Sequence, residues 1–390
     1  MPESSGVEEV LICFSHLRWD FVYQRPQHLL TRAARRRKVY FLEEPVWTAE
    51  PDPASPRLSR PDDAVTVLTP SIDNARRERA DEDQRDILNS VLRHHAGSSI
   101  IAWYYTPMAL SFSEHLRADV TVYDCMDELS AFRGAPPRLV EREQALFRRA
   151  DLVFTGGRSL YEAKRGRHPD VRPFPSSIDK GHFAPARIWA GPEPADQAPI
   201  GGPRIGFFGV IDERMDLDLV EALAASRPGW QFVLIGPVVK IDPANLPRRD
   251  NIHWLGQKRY ADLPAYLAGW SAAFMPFALN ESTRFISPTK TPEFLAAGVP
   301  VVSTPVRDVV DPYGNRGLAG IARDAAAFAS ALEAQMERPR TEWLSQVDAF
   351  LADHSWDRTW SQMENALEEV KSRRAANASR LLANREALHV

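Results

Sequence analysis

The sequence predicts an α/β protein of two Rossmann-like, doubly wound halves facing a cleft, with a C-terminal helix crossing back to the first half. Three observations predict it. Short, uniformly apolar runs alternate with longer stretches of helical period, the pattern of parallel strands covered on both faces by helices. A Pro- and Gly-rich stretch, APARIWAGPEPADQAPIGGP at 184–203, interrupts the alternation near the middle of the 390 residues. The alternation then restarts and runs to a closing helical segment.

In the first half (1–183), apolar runs place strands at 10–15, 39–42, 65–68, 100–105, 120–125 and 152–155. Helices fall at 26–37, with Leu29, Leu30, Ala33 and Ala34 on one face, at 80–93, on a stripe of Ile87, Leu88, Val91 and Leu92, and at 139–149. Pro185, Pro192, Pro194, Pro199 and Pro203 exclude a regular element at 184–203, which reads as an interdomain linker. The second half (204–352) repeats the architecture without repeating the sequence. Its strands fall at 204–210, 231–235, 252–255, 273–277 and 299–303, and its helices at 217–225, 261–268, 293–297 and 325–336. One helix is expected over 343–370, with Trp356, Trp360, Met363 and Leu367 on its apolar face, so that 353–390 returns to the first half and ends in a tail. The weakly basic tail at 371–390 reads either as a solvated helix end or as a face for a membrane surface or partner.

Composition excludes several classes. Hydrophobic residues at 44% and charged residues at 26% are globular values. With 48 Lys+Arg against 52 Asp+Glu, the net charge of −4 leaves no footprint for nucleic-acid binding. No apolar run has the length of a membrane helix, and residues 1–10 lack a basic-then-apolar signal pattern, so a cytoplasmic protein is expected. The two cysteines, Cys13 and Cys125, sit in apolar runs and read as buried thiols, too few for a disulfide framework or a zinc site. No HExxH, Walker or GxSxG pattern is present and no Asp-x-Asp triplet stands at a strand end, so no obligatory metal is expected.

Ligands of such sheets bind beyond the carboxyl ends of strands, so residues just after strands carry the functional weight. At 287–300, SPTKTPEFLAAGVP runs from a loop into a helix. Pro292 belongs in a first turn, which makes Thr291 the expected N-cap and leaves Ser287, Thr289 and Lys290 in a loop suited to a diphosphate. Glu293 would accept hydrogen bonds from ribose hydroxyls, or would merely complement the helix dipole beside a solvated Lys290. After the strand at 204–210, Gly209 permits close backbone approach, and Arg214 would reach a diphosphate or pair with a neighbouring Asp. Gly256, Gln257 and Lys258, with Tyr260 nearby, would read a base edge or form a plain turn. Asp127, past the strand end, would orient a sugar hydroxyl or stabilise charge at an anomeric carbon, and Asp124 shares that neighbourhood; either could instead cap a turn. His16 and Arg25 follow the first strand, Arg25 placed to meet an acceptor phosphate and His16 equally read as a turn residue.

The segment SPTKTPEFLAAGVP followed by VVSTP resembles the donor-site signature of GT-B nucleotide-sugar glycosyltransferases, in particular the retaining family 4 (glycosyl transferases group 1) of bacterial surface polysaccharide and teichuronic-acid synthesis. QRPQHL at 24–29, YDCMDE at 123–128, ADLVFTGGRSLYEAK at 150–164, PSSIDKGHF at 175–183 and HWLGQKRYADLPAYL at 253–267 extend the resemblance over most of the chain. It implies a GT-B fold, a nucleotide-diphosphate sugar as co-substrate with no cofactor, a glycan or lipid-linked acceptor met by His16, Arg25 and Asp124, and peripheral contact with the cytoplasmic membrane face. It also implies retention of configuration, with Lys290 and Arg214 stabilising the leaving diphosphate and Asp127 serving the transferred sugar. One position departs: Phe285 stands where the family carries a second Glu that contacts the donor sugar, and Glu281 is the nearest acidic substitute, given a rewound loop. Two other readings stand beside this one, a nucleotide-sugar epimerase of the same architecture and a GT-B partner subunit that binds without turnover.

Overall fold

The computed structural model describes residues 7–49, 55–60 and 65–387; residues 1–6, read above for a signal pattern, and the last three of the tail lie outside the described residues. The first half is one sheet of nine strands. These are β1 (Glu9–Phe14), β2 (Lys38–Leu42), β3 (Val46–Thr48), β4 (Ser55–Ser59), β5 (Val65–Asp73), β6 (Ser99–Tyr104), β7 (Val120–Cys125), β8 (Leu152–Thr155) and β9 (Val171–Pro173). They lie in the order β3-β5-β2-β1-β6-β7-β8-β9, with β4 antiparallel on β5 and every other pair parallel. The second half holds β10 (Arg204–Phe208), β11 (Gln231–Ile235), β12 (Ile252–Gly256), β13 (Ala272–Met275), β14 (Val301–Ser303) and β15 (Gly320–Ile321), all parallel, in the order β12-β11-β10-β13-β14-β15. Helices cover both faces of each sheet, giving four apolar clusters. Strand order reverses beside β1 and beside β10, so the loops after these strands open into one crevice.

The doubly wound α/β class expected from the sequence is the observed one. Four strands escaped the apolar-run criterion: β3 (VWT), β4 (SPRLS), β9 (VRP) and the two-residue β15, all short and lying at or near sheet edges, where polar residues and proline are tolerated. The helix expected over 343–370 is two helices. Arg340–Leu351 packs Trp343, Val347 and Leu351 into the second half's core, whereas Trp356–Ala387 packs Trp356, Trp360, Met363, Leu367 and Val370 into the first half's. The break comes at 352–355, where the Ser355 hydroxyl accepts from the Arg358 amide (3.1 Å) and starts the second helix.

The 184–203 stretch forms no strand or α-helix, but it opens with a 3₁₀ turn (Ala184–Ile188) and packs onto the second half rather than hanging free. Ala186 and Ile200 enter that core, and the Gln197 amide donates to the Tyr266 carbonyl (3.0 Å) and accepts from the Trp270 indole (2.9 Å).

Candidate functional site

A cavity of about 780 Å³ opens between the halves, walled by residues 19–25, 126–127, 156 and 176 of the first and by residues 207–210, 214, 235–237, 257–260 and 286–290 of the second. On the second-half wall the chain turns just past β10 and β11. The Gly209 amide donates to the Ile235 carbonyl (2.9 Å), and a Cβ on Gly236 (φ +149°) would overlap the Gly209 carbonyl oxygen. Two backbones therefore touch where side chains would otherwise fill the cavity floor.

Lys290 opens the helix Lys290–Ala296, with its ammonium 3.0 Å from a Glu293 carboxylate oxygen and 4.6 Å from the Phe208 ring centre. The cation lines the cavity, but Glu293 stands behind it, 4% exposed and off the wall. Burial pushes the Glu293 carboxyl above its ordinary pKa, and Lys290 opposes that rise. In this structure Glu293 is the buried countercharge of Lys290. The expected N-cap at Thr291 is corrected. The helix starts one residue earlier than Thr291, which lies fully buried in the first turn with its hydroxyl toward the Met275 sulfur (3.7 Å). Ser287 and Thr289 remain on the wall.

Arg214 lines the cavity and is gripped by buried Asp212 through Nε (2.9 Å) and Nη2 (2.7 Å). The Arg–Asp pair weighed from the sequence is therefore real, and it holds the guanidinium at the wall. Gln257 and Lys258 also line it, Gln257 reaching across to the Phe21 carbonyl and Lys258 pairing with Asp196 (2.7 Å). Gly256 (φ +68°) ends β12 and lies off the wall, its carbonyl accepting from the Gly236 amide (2.9 Å).

On the first-half wall Asp127 follows β7. Burial pushes its pKa up to about 6; Arg214 pulls it down, Asp212 adds to the rise, and Arg25 and Lys240 again lower it. Asp124 does not face the cleft. It is fully buried and holds Arg25 at Nε (3.1 Å) and Nη2 (2.8 Å), while Arg25 Nη1 donates to the Phe174 carbonyl (2.7 Å). Asp124 is therefore a structural anchor rather than an acceptor ligand, and Arg25, though it edges the cavity, is committed to the same joint. His16 sits off the wall; burial, then Lys240, holds its imidazole down to about 4, so it is neutral near pH 7.

Tyr260 stands beside the expected base-reading segment, but its ring partners, and Phe132, are not legible from spacing. The Tyr260 ring stacks on Tyr23 across the cleft (4.5 Å) and on His182 (4.0 Å), and Phe132 lies under Arg214 (5.4 Å) and Lys240 (5.0 Å). Aromatics beside strand ends were the available signal, but their partners are far away in sequence. Phe285 packs onto the first half's core, and Glu281 pairs with Arg284 (3.4 Å) with its side chain 76% exposed and lies off the cavity wall. Among the described residues no group of three His, Cys, Asp or Glu is placed to hold a metal ion, and no helix is long and apolar enough to cross a membrane.

Comparison with known proteins agrees with the architecture. Residues 202–338 match the family described as Glycosyl transferases group 1. A Bacillus subtilis (strain 168) protein named as a teichuronic acid biosynthesis glycosyltransferase, TuaH, is 25% identical over 222 residues, a match spanning 53% of this chain and 56% of that protein. Among solved structures, sucrose-phosphate synthase from Thermosynechococcus elongatus is similar with a TM-score of 0.70 at 14% identity, over 94% of this chain and 99% of that one. HepE of Anabaena, in complex with UDP and glucose, is similar with a TM-score of 0.63 at 14% identity, over 93% of this chain and 100% of that one. These likenesses show the GT-B fold.

Proposed function

We propose that this chain, whose residues 202–338 form a glycosyl transferases group 1 domain within a GT-B fold, is a glycosyltransferase. It moves a sugar from a nucleotide-diphosphate donor to a glycan or lipid-linked acceptor in bacterial surface polysaccharide synthesis. The carrying observation is one cavity with Lys290 and Arg214 on the second-half wall and Asp127 on the first-half wall. Two fixed cations held by buried carboxylates can stabilise a leaving diphosphate without reorganising, so no divalent ion is required. The bare floor at Gly209 and Gly236 lets a nucleotide lie against backbone, and Gln257 and Lys258 border the same wall. Above pH 6 Asp127 is ionised and can orient a sugar hydroxyl or balance charge at the anomeric carbon. The charge arrangement suits transfer with retention, in which the departing diphosphate takes the acceptor's proton on the face it leaves. Lipid-linked acceptors would place the protein on the cytoplasmic membrane face, as a peripheral protein.

UDP, present in the similar HepE structure, is the first probe. A thermal-shift series with UDP, GDP and other nucleoside diphosphates should reveal a binder, which at 100 times its Kd adds about 2.7 kcal/mol of stability. Nucleotide sugars with and without acceptor glycans then follow, reading free nucleotide. Acceptor-dependent release supports the transferase. A donor altered without acceptor would mean an epimerase, binding without turnover a silent subunit, and no shift with any nucleotide would sink all three. Retention is read from the anomeric NMR couplings of the product, and metal independence from undiminished turnover in EDTA.

A further inference from the structure

The helix Arg158–Lys164 of the first half has no cap of its own, because its N-cap residue is Gly157. The cap comes from the other half. Buried Asp308 accepts from the Arg158 amide through Oδ2 (2.8 Å) and from the Ser159 amide through Oδ1 (2.9 Å). The contact is close: a Cβ on Gly157 would overlap the Asp308 carboxylate and stand 2.7 Å from the Ser287 Cβ. The residue before it faces the other way. The Gly156 amide donates to the Cys125 carbonyl (2.9 Å), and a Cβ on Gly156 would stand 2.5 Å from the Met126 carbonyl oxygen. At the far end of the same short helix, buried Lys164 reaches Glu128 (2.6 Å) and Glu143 (2.8 Å). Met126 and Glu128 flank Asp127: Met126 lies against Gly156 in the turn that leads into the helix, Glu128 pairs with Lys164 at the helix's far end, and that helix is capped from the opposite half.

We propose that Asp308 is a positioning residue for Asp127: by capping the helix 158–164 across the cleft, it ties docking of the two halves to the placement of the loop that carries Asp127. The idea rests on the reading of Asp127 as the sugar-facing carboxylate. Separating the halves removes the acceptor from two amides at once, which loosens the turn at 156–157 against which Met126 lies. The sugar-side carboxylate is then fully ordered only when the nucleotide-side half is docked.

The test uses the full chain and hydrogen–deuterium exchange followed by peptide mass spectrometry, in wild type, Asp308→Ala and Asp308→Asn. Asp308→Ala should speed exchange over 123–131 on the order of 10-fold, with 204–210 unchanged. Asp308→Asn keeps one acceptor oxygen and should fall between, so it carries the test if the alanine variant does not fold. With any nucleotide sugar that the wild type turns over, kcat should fall on the order of 10-fold in Asp308→Ala while the donor KM stays put. Faster exchange confined to 158–164 would overturn the link, as would a uniform speeding over the whole chain. A wild type that turns over no nucleotide sugar removes the transferase reading, while the exchange pattern still decides the mechanical one.

Discussion

Asp127 is held in a place that opposes its charge. Its folded pKa of about 6 lies above the ordinary 3.8, so between those values the native state binds the proton and the unfolded chain does not. Stability contributed by this group is therefore greatest at low pH and falls as pH rises toward 6. Asp127→Asn should remove that penalty: the variant should match wild type near pH 4 and exceed it above pH 6, by about 1–3 kcal/mol, in thermal melts across pH. Turnover should move the opposite way, rising through pH 6 in wild type and falling sharply in the variant. Lys290→Ala, in contrast, should weaken UDP binding about 10- to 100-fold by calorimetry with the fold intact, the worth of one charge-assisted hydrogen bond. Unchanged affinity in a folded variant would take Lys290 out of the site. That Lys290, Arg214 and Asp127 line the cavity is legible in the sequence because each closely follows a strand run or begins a helix, and because the segment carrying Lys290 resembles a donor-site signature. Asp124 was misplaced because its partner, Arg25, is 99 residues away. No local pattern announces such a pair.

Among the elements, the helix Trp356–Ala387 matters most for the first half. Trp356, 2% exposed, stacks on His28 (4.6 Å), and Trp360 lies 5.9 Å from Trp103. Trp356→Ala should cost about 3–5 kcal/mol and lower the urea midpoint, with a loss of first-half packing read as near-UV dichroism. A midpoint equal to wild type would mean that the helix is only laid against the sheet. Its apolar stripe was legible in the sequence, but its start was not. The same spacing continues through Trp343 and Val347, and only the Ser355 cap marks the change from one core to the other. The central strands were legible because burial on both faces demands unbroken apolar runs. Edge strands such as Ser55–Ser59 escape that demand, and with it the detection.

At the scale of the molecule, the halves meet through small contacts: Gln257 on the Phe21 carbonyl, Tyr260 on Tyr23, Ser176 on the Ser287 carbonyl (3.3 Å) and the Asp308 cap. These contacts mix hydrogen bonds with the Tyr23–Tyr260 stack and the packing of Phe285 on the first half's core, and a nucleotide between the walls would draw the halves closer. Solution scattering should therefore show a smaller radius of gyration with saturating UDP than without it. An identical profile would count against closure. The helix that crosses back has a different consequence, for synthesis. A ribosome delivers the first half's strands early, but Trp356, Trp360, Met363 and Leu367, which complete one of that half's two cores, emerge only after the whole second half has been made. The nascent first half must wait with an unfilled groove on its sheet while its neighbour, encoded between the two pieces, can fold at once. Residues translated after the second half thus finish the half that precedes it, and a chain released before Trp356 would have a complete second half beside an unfinished partner exposing the apolar surface on which chaperones act.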